Sequence, residues 1–314
     1  MTSFVPSEKS ARREMLDAIG LRHPDEQYRD IPEEVMLESL DLPSGLSEAE
    51  AEERLESMAQ KNQVFKDIYR GAGAFRHYIP ALCRSIPGKE SFLTAYTPYQ
   101  AELSQGILQI IFEFQTEVSE LFGLPCANAS LYDGATAAAE ALNMCRTRRK
   151  TRCLIAATAD PQYIEVCRTY AAGLGAELDL IPQKDGLCDL DAMAAMLDKK
   201  TAGVFIPQLN FNGLIEDLAA AAALLHEAKA LLVAGIHPIA AALLQSAGEA
   251  GADIAVGEGQ VLGLPLGFGG PYIGLMACTQ KLLRSMPGRI VGQTEDADGK
   301  RAFVLTLQAR EQHI

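Results

Sequence analysis

The segment that decides the fold is RCLIAATADPQYIEVCRTYAAGLGAELDLIP, residues 152–182. Aliphatic and β-branched residues form short runs at its two ends, 152–157 and 177–182, and a helical stretch at 161–173 lies between them. Buried parallel strands give short apolar runs of this kind, and a helix of this length can cross back over a sheet. The segment therefore predicts a strand, a crossover helix and a second strand parallel to the first.

The same alternation continues to residue 286. Further strands are predicted at 202–208, 230–236, 253–256 and 272–278, and further helices at 189–198, 215–228, 238–249 and 279–286. This pattern indicates an α/β protein with a three-layer αβα domain around a parallel sheet. Ligands bind beyond the carboxyl ends of the strands in such sheets, so the residues after each run are candidate binding residues. These are 158–160, 208–210, 235–238 and 257–260.

The stretch before the first strand, residues 96–142, combines a polar aromatic loop, a helix at 104–122 and a turn that opens a second helix. The turn reads NASLYDGAT, residues 128–136. Small side chains at a helix N-terminus leave backbone N–H groups that favour an anion such as phosphate. Ser, Asp, Asn and Gly are also ordinary N-cap residues, so a helix cap without any bound anion explains the composition of this turn equally well. The apolar positions of 104–122 cover more than one stripe, which predicts a helix buried on several sides.

Two domains are predicted: a helical N-terminal extension at 1–90 and the large αβα domain at 91–314. The extension contains amphipathic stretches at 7–19 and 47–62, and Ser47 with Glu50 forms a capping-box pattern that marks a helix start.

Composition excludes several classes of function. The chain has 314 residues, a net charge of −13 and 48% hydrophobic residues. An acidic chain lacks the clustered Lys and Arg that nucleic acid or an anionic membrane requires. The seven cysteines are odd in number and never form Cys-x-x-Cys, so neither a disulfide framework nor a zinc site is predicted, and no other metal site is. The N-terminus has no apolar signal region, and charged residues interrupt the apolar stretch 218–244, which predicts a cytoplasmic protein.

His237 follows a predicted strand and is open to two interpretations. Its ordinary pKa suits proton transfer or a ring stacked on a cofactor. It is equally consistent with a structural histidine that hydrogen-bonds a loop carbonyl.

Seven motifs together resemble the glycine decarboxylase P-proteins of the glycine cleavage system, and among them the subunit 1 proteins of the bacterial two-subunit form. They are Tyr96-Thr-Pro-Tyr-Gln100, Ser104-Gln-Gly106, Ala127-Asn-Ala-Ser130, Asp133, Thr136-Ala-Ala-Ala-Glu140, Gly257-Glu-Gly-Gln260 and Phe268-Gly-Gly-Pro-Tyr272. The resemblance implies the large domain of pyridoxal-phosphate fold type I and a heterotetramer of two subunits 1 and two subunits 2. It also implies aminomethyl-transferring glycine dehydrogenase activity, in which glycine and the lipoyl arm of H-protein give CO2 and an aminomethylated dihydrolipoyl arm.

Two groups that a pyridoxal enzyme needs are absent from the sequence. A lysine binds the cofactor covalently, and an acid keeps the pyridine nitrogen protonated. The strand end that normally carries the acid reads Val233-Ala-Gly-Ile-His237, without a carboxylate, and no lysine lies between Lys229 and Lys281. The resemblance therefore implies that subunit 2 carries pyridoxal 5'-phosphate and that this chain, which has no catalytic residue of its own, is its partner.

The resemblance also assigns the candidate site residues. Tyr96 and Tyr99, with Thr97 and Gln100 as weaker candidates, are expected to reach the substrate side of the partner's site across a subunit interface. Interface packing is the alternative for the two tyrosines. A vestigial cofactor pocket is expected, formed by Ser130, Gly134, Thr136, His237 and Gln260.

Two further expectations concern the whole protein. The sequence stops at Arg310-Glu-Gln-His-Ile314, where the family continues, so the small C-terminal domain is expected to be mostly missing. A catalytically silent assembly subunit is the alternative function. A nucleotide-binding enzyme is disfavoured because no Gly-x-Gly-x-x-Gly follows a strand and opens a helix.

Overall fold

The computed structural model describes residues 8–37, 39–69, 71, 73, 76–93 and 96–307. They form two compact units, Met1–Ile68 and Tyr69–Ile314. Residue 7, where the first predicted helix begins, and the chain end at 310–314 lie outside the described residues. The predicted boundary at residue 90 falls within the second unit, and the division into 1–90 and 91–314 stays a prediction.

The first unit is helical. Its helices are α1 (Lys9–Ala18) and α2 (Glu48–Ala59), with short 3-10 turns at Pro24–Tyr28 and Glu33–Val35. The predicted capping box is confirmed, because the Ser47 hydroxyl accepts from the Glu50 amide at 3.4 Å and the Glu50 carboxylate accepts from the Ser47 amide at 2.8 Å. Ser47 therefore fixes where α2 begins.

The second unit contains the sheet and its helices. The helices are α3 (Leu82–Ser85), α4 (Glu90–Leu93), α5 (Gln105–Phe122), α6 (Gly134–Cys145), α7 (Pro161–Gly173), α8 (Leu190–Met196), α9 (Leu218–Glu227) and α10 (Pro238–Ala241). The strands are β1 (Cys126–Ala127), β2 (Arg152–Ala156), β3 (Glu177–Ile181), β4 (Gln183–Lys184), β5 (Leu187–Cys188), β6 (Thr201–Pro207), β7 (Leu231–Gly235), β8 (Ile254–Glu258), β9 (Gly274–Cys278), β10 (Ile290–Glu295) and β11 (Arg301–Thr306). Every strand predicted between residues 152 and 278 is therefore present.

The central sheet has seven strands in the order β1-β9-β8-β7-β6-β2-β3. Strands β3, β2, β6, β7 and β8 run parallel, as predicted. Strand β9 runs antiparallel to both of its neighbours, β8 and β1, so the prediction of a wholly parallel sheet was wrong. The reason is the connection from β8 to β9: it holds only a 3-10 turn, Gly259–Leu262, and no crossover helix to return the chain to the other end of the sheet.

Two hydrophobic cores cover the two faces of the sheet and confirm the three layers. One core packs α5, α8 and α9 against the sheet through side chains such as Phe122, Met193 and Leu225. The other packs α6 and α7 through Ala138 and Cys167. The alanines of α6 are small enough for that helix to lie close to the sheet.

Two predicted helices differ from the structure. The helix predicted at 238–249 ends at Ala241, and the stretch predicted at 279–286 is a 3-10 helix, Gln280–Ser285. Gly248 accounts for the last residues of the first difference: its amide donates to the Phe122 carbonyl at 3.0 Å, and a Cβ there would overlap the backbone of Gly123. The chain must leave the helical path to make this close approach.

Helix α5 buries Leu108, Gln115, Val118 and Phe122. It packs into two cores, one through Phe122 and one through Leu108, while Ile110 is 47% exposed on this chain, so burial of the helix on all the predicted sides stays a prediction. Glutamines on this helix bind the hairpin β10–β11, which sequence reasoning missed. The Gln115 side chain both donates to and accepts from the backbone of Val291, at 3.0 and 2.8 Å.

Candidate functional site

A buried carboxylate joins the loops that follow β2 and β6. Glu216, 6% exposed, accepts from the Thr158 hydroxyl at 2.7 Å, the Asn210 side-chain amide at 2.7 Å and the Cys188 amide at 3.0 Å. Thr158 and Asn210 both lie in the predicted post-strand segments. The sequence therefore located these loops correctly, although it gave no signal that Glu216 connects them.

The N-terminus of α6 is capped by its own side chains. The Asp133 carboxylate accepts from the Thr136 amide at 2.7 Å and from the Thr136 hydroxyl at 2.6 Å. The hydroxyl of Thr136, a predicted pocket residue, therefore donates its hydrogen bond within the helix cap. The helix-cap interpretation of the turn at 128–136 is the one this geometry supports.

A second carboxylate, from the end of β8, reaches the same helix. Glu258 accepts from the Gly134 amide at 2.9 Å through Oε2, and from the Gln260 and Ile273 amides at 2.9 and 3.3 Å through Oε1. Burial raises the pKa of the Glu258 carboxyl, and the charge of Asp133 raises it further, against the three amide hydrogen bonds that lower it. The hydrogen bond between Glu258 and Gly134 is the centre of the candidate site. Gly134 is among the predicted site residues, and Glu258 is not.

The space beside Gly134 is filled by the chain itself. A Cβ at Gly134 would overlap the Tyr163 hydroxyl and lie 3.0 Å from both the Cβ and the amide of Glu258. Burial raises the pKa of Tyr163 strongly, and the nearby charges of Glu258, Asp160 and Asp133 add to this, so Tyr163 is a neutral phenol at physiological pH. The aromatic ring of Tyr163 rests 5.9 Å from that of Phe205.

His237 caps the short helix α10. Its Nδ1 accepts from the Ala240 amide at 3.4 Å, and its ring centroid lies 5.5 Å from that of His77. Burial lowers the pKa of His237, and His77 lowers it further, so the imidazole is neutral at pH 7. An accepting Nδ1 places the ring proton on Nε2. This bond is to a backbone amide, and the hydrogen bond to a loop carbonyl that the structural interpretation expected stays a prediction.

The Gln260 backbone shares the Glu258 carboxylate with Gly134, but the Gln260 side chain and Ser130 make other contacts. Gln260 is 4% exposed, and its side-chain amide donates to the Leu264 carbonyl at 2.6 Å, inside its own loop. The backbone of Ser130 lies beside Gly288. The structure therefore brings Gly134 and Thr136 together, while His237, Gln260 and Ser130 serve other contacts; a shared pocket for all five stays a prediction.

The loop carrying the predicted interface residues is open to solvent on this chain. Tyr96 is 93% and Tyr99 46% exposed, and Gln100 is exposed as well. The Tyr99 amide donates to the Thr97 carbonyl at 2.8 Å, which makes a tight turn between the two tyrosines. Their side chains are thus available to another molecule, and their role in substrate binding stays a prediction.

The residues of this chain do not fit pyridoxal phosphate. The positions that would hold the lysine and the ring acid contain Glu258 and the carboxylate-free run 233–237. Two amides at the N-terminus of α6 are already bonded, Gly134 to Glu258 and Thr136 to Asp133. Among the described residues no group of His, Cys, Asp or Glu is arranged to hold a metal ion. No described helix has the length and apolar character to cross a membrane.

Solved structures resemble the fold. The crystal structure of glycine decarboxylase (P-protein) of the glycine cleavage system, in inhibitor-bound form, matches with a TM-score of 0.89 and 39% identity over 98% of this chain and 70% of that chain. A sphingosine-1-phosphate lyase from Burkholderia pseudomallei matches with a TM-score of 0.58 and 16% identity over 90% of this chain and 68% of that chain, a likeness of fold alone. The fold is the large domain of pyridoxal-phosphate fold type I, as predicted.

Sequence relatives narrow this class to one family. Two proteins named "Probable glycine dehydrogenase (decarboxylating) subunit 1" are similar to this chain over 99% of its length: one from Moorella thermoacetica is 49% identical, and one from Desulforamulus reducens is 50% identical. The chain covers 70% and 71% of those relatives. The sequence model of the family described as "Glycine cleavage system P-protein" matches residues 2–314 of this chain. The chain belongs to this family, and the resemblance drawn from its motifs is confirmed.

Proposed function

We propose that this chain is subunit 1 of a two-subunit glycine decarboxylase and that it acts only with a subunit 2 that carries pyridoxal phosphate. The single observation that carries the proposal is the match, over 99% of this chain, to proteins named subunit 1 at 49–50% identity. The poor fit of this chain's own residues to the cofactor supports the assignment of the cofactor to the partner.

The proposed reaction consumes glycine and the oxidised lipoyl arm of H-protein. The carbon–carboxylate bond of glycine breaks to release CO2, and its electron pair forms a bond between the aminomethyl carbon and one lipoyl sulfur. The lipoyl disulfide bond breaks, and the other sulfur takes up a proton as a thiol. Pyridoxal phosphate on subunit 2 would supply the electron sink that this cleavage needs.

The contribution of this chain to that reaction lies in the loop from Tyr96 to Gln100. A phenolic hydroxyl can donate a hydrogen bond to a substrate carboxylate, and the turn between Thr97 and Tyr99 limits how far the two rings can move. We therefore assign Tyr96 and Tyr99 to the substrate side of the partner's site, with Thr97 and Gln100 beside them. The assembly would be a cytoplasmic heterotetramer of two subunits of each kind.

Reconstitution of this chain with a lysine-bearing subunit 2 tests the role of the loop. We expect Tyr96→Phe and Tyr99→Phe each to lower kcat/KM for glycine–CO2 exchange about tenfold or more, because a hydrogen bond to a charged group contributes about 1.5–3 kcal/mol. Tyr69→Phe is the matched control, since Tyr69 is 97% exposed. Assembly, measured by light scattering, should be unchanged in all three variants.

The same experiment separates the alternative function. If the double variant Tyr96→Phe with Tyr99→Phe assembles and exchanges CO2 at the wild-type rate, the chain is a silent assembly subunit. Borohydride treatment followed by mass spectrometry locates the cofactor: we expect it on subunit 2. A covalent pyridoxyl group on this chain would contradict the proposal.

A further inference from the structure

The Glu258 carboxylate connects three separate parts of the chain. It joins the first amide of α6, at Gly134, to the start and the end of the loop 259–273, at Gln260 and Ile273. The Gly259 amide adds a backbone bond to the Ile273 carbonyl at 2.8 Å, so both ends of that loop meet at Glu258. A carboxylate bonded to amides at a helix N-terminus occupies the position where such helices bind external anions.

Little room is left there for another anion. Tyr163 and Glu258 fill the volume next to Gly134 that a Cβ would need. The second acceptor at this helix end, Asp133, takes the Thr136 amide. No described lysine or arginine forms an ion pair with Glu258, Asp133 or Asp160, so no salt bridge offsets the repulsion between these carboxylates and an incoming phosphate.

We propose that Glu258 is an internal anion that takes the place of a cofactor phosphate at the N-terminus of α6. It thereby excludes phosphorylated ligands from this chain and clamps the base of the loop 259–273. Glu258 is thus a specificity-determining and positioning residue. The inference concerns this chain alone, so it holds or fails independently of the activity proposed for the complex.

The experiment removes the internal anion and offers an external one. The purified full chain, Glu258→Ala and the control Asp217→Ala are melted with and without 10 mM inorganic phosphate, at constant ionic strength. Asp217 is an exposed N-cap of α9, so the control also removes one carboxylate and one cap bond from a helix. Pyridoxal phosphate replaces inorganic phosphate in a parallel series, read by absorbance as well as by Tm.

We expect Glu258→Ala to melt about 5 °C below the wild type, since three amides lose their charged acceptor. Phosphate that binds the vacated site with a Kd of about 1 mM should raise the Tm of this variant by about 2 °C. The wild type and Asp217→Ala should respond by less than about 1 °C, because their α6 amides stay occupied. Hydrogen exchange at the Gly134 and Ile273 amides should accelerate in Glu258→Ala and slow again with phosphate.

Two results would overturn the inference. One is a wild-type chain that phosphate or pyridoxal phosphate stabilises as much as Glu258→Ala. The other is a Glu258→Ala chain that ignores both anions. If Glu258→Ala does not fold, Glu258→Gln replaces it, because the amide keeps one acceptor for the loop and lacks the charge. Glu258→Gln keeps a side chain in the site, so here the required result is faster exchange at the Gly134 amide than in the wild type, and its absence refutes the role of Glu258.

Discussion

Removal of the Glu216 charge should destabilise the chain strongly, because this carboxylate holds the loops after two neighbouring strands together. The groups that donate to it are themselves buried: Thr158 is 1% and Asn210 5% exposed. The Cys188 amide is the third donor, at 3.0 Å. A substitution at Glu216 leaves these donors without water to replace the lost acceptor.

The expected magnitude follows from the number of bonds. A hydrogen bond to a charged group contributes about 1.5–3 kcal/mol, and a buried donor left unsatisfied costs about 1–3 kcal/mol. Glu216→Gln keeps one carbonyl oxygen but turns an NH2 group towards a donor, so we expect it to lower the free energy of unfolding by about 3 kcal/mol. For a chain of this size that corresponds to a Tm about 5 °C lower.

Urea unfolding of the wild type, Glu216→Gln, Thr158→Val and the double variant measures this coupling. Thr158→Val alone should cost about 1.5 kcal/mol, and the double variant should cost about 1 kcal/mol less than the sum of the two, because both changes remove one shared bond. The control Asp217→Asn removes a neighbouring exposed charge and keeps a good N-cap, so its loss should stay below about 0.5 kcal/mol. Additive losses at Glu216 and Thr158, or a Glu216→Gln variant as stable as the control, would refute this reasoning.

Three more predictions concern separate features. The pKa of His237 is lowered from 6.5 in the folded chain, so the unfolded chain binds a proton more readily, and the free energy of unfolding should fall as the pH drops below about 6.5. His237→Asn can still cap α10 but does not titrate, so urea unfolding at pH 5.5 and 7.5 should show a smaller pH dependence for this variant. Gly134→Ala should cost about 2–3 kcal/mol through overlap with its neighbours, whereas Gly106→Ala, which meets nothing within 4 Å, should stabilise α5 by about 0.5 kcal/mol; equal denaturation midpoints would contradict this. Burial raises the pKa of Cys153 to about 11, so iodoacetamide at pH 8 should label Cys83 first and leave Cys153 unmodified in the native chain, as peptide mapping can show.

The strands could be predicted because their apolar runs are short and separated by helical stretches. The reversed direction of β9 could not be predicted from its own letters, since a buried run has the same composition in either direction. The clue lay in the connection, where a loop rich in Gly and Pro at 263–271 replaces a helix. The hairpin β10–β11 also had a signal that was missed: Asp298-Gly299 is a turn pair between two alternating runs.

The sequence predicted the segment that carries the candidate site but not the contact that forms it, for a geometric reason. The segment 257–260 was predicted to follow a strand, where ligands bind in this class of fold, but its first two residues form the end of β8 and only 259–260 follow it. The Glu258 carboxylate, however, bonds the Gly134 amide, 124 residues away along the chain. Local spacing predicts caps such as Asp133 on Thr136, three residues apart, but it carries no information on a contact between distant segments.

The Glu258 carboxylate and the exposed loops near it fit two different roles of the same region: one contact is internal, and the other surface is available to a partner. Glu258 and Asp133 direct their charges inward onto α6, while apolar side chains of adjacent loops point to solvent. Tyr132 is 79%, Leu262 48% and Phe268 107% exposed, although large apolar side chains are usually buried. A chain that evolved to hold a phosphate would need those α6 amides open, whereas a chain that supplies surface to a partner needs its loops held in place. In the proposed role, the Glu258 side chain occupies the Gly134 amide of α6 and also holds the two ends of the loop 259–273 together. One side chain therefore accounts for both properties that the proposed subunit 1 role requires.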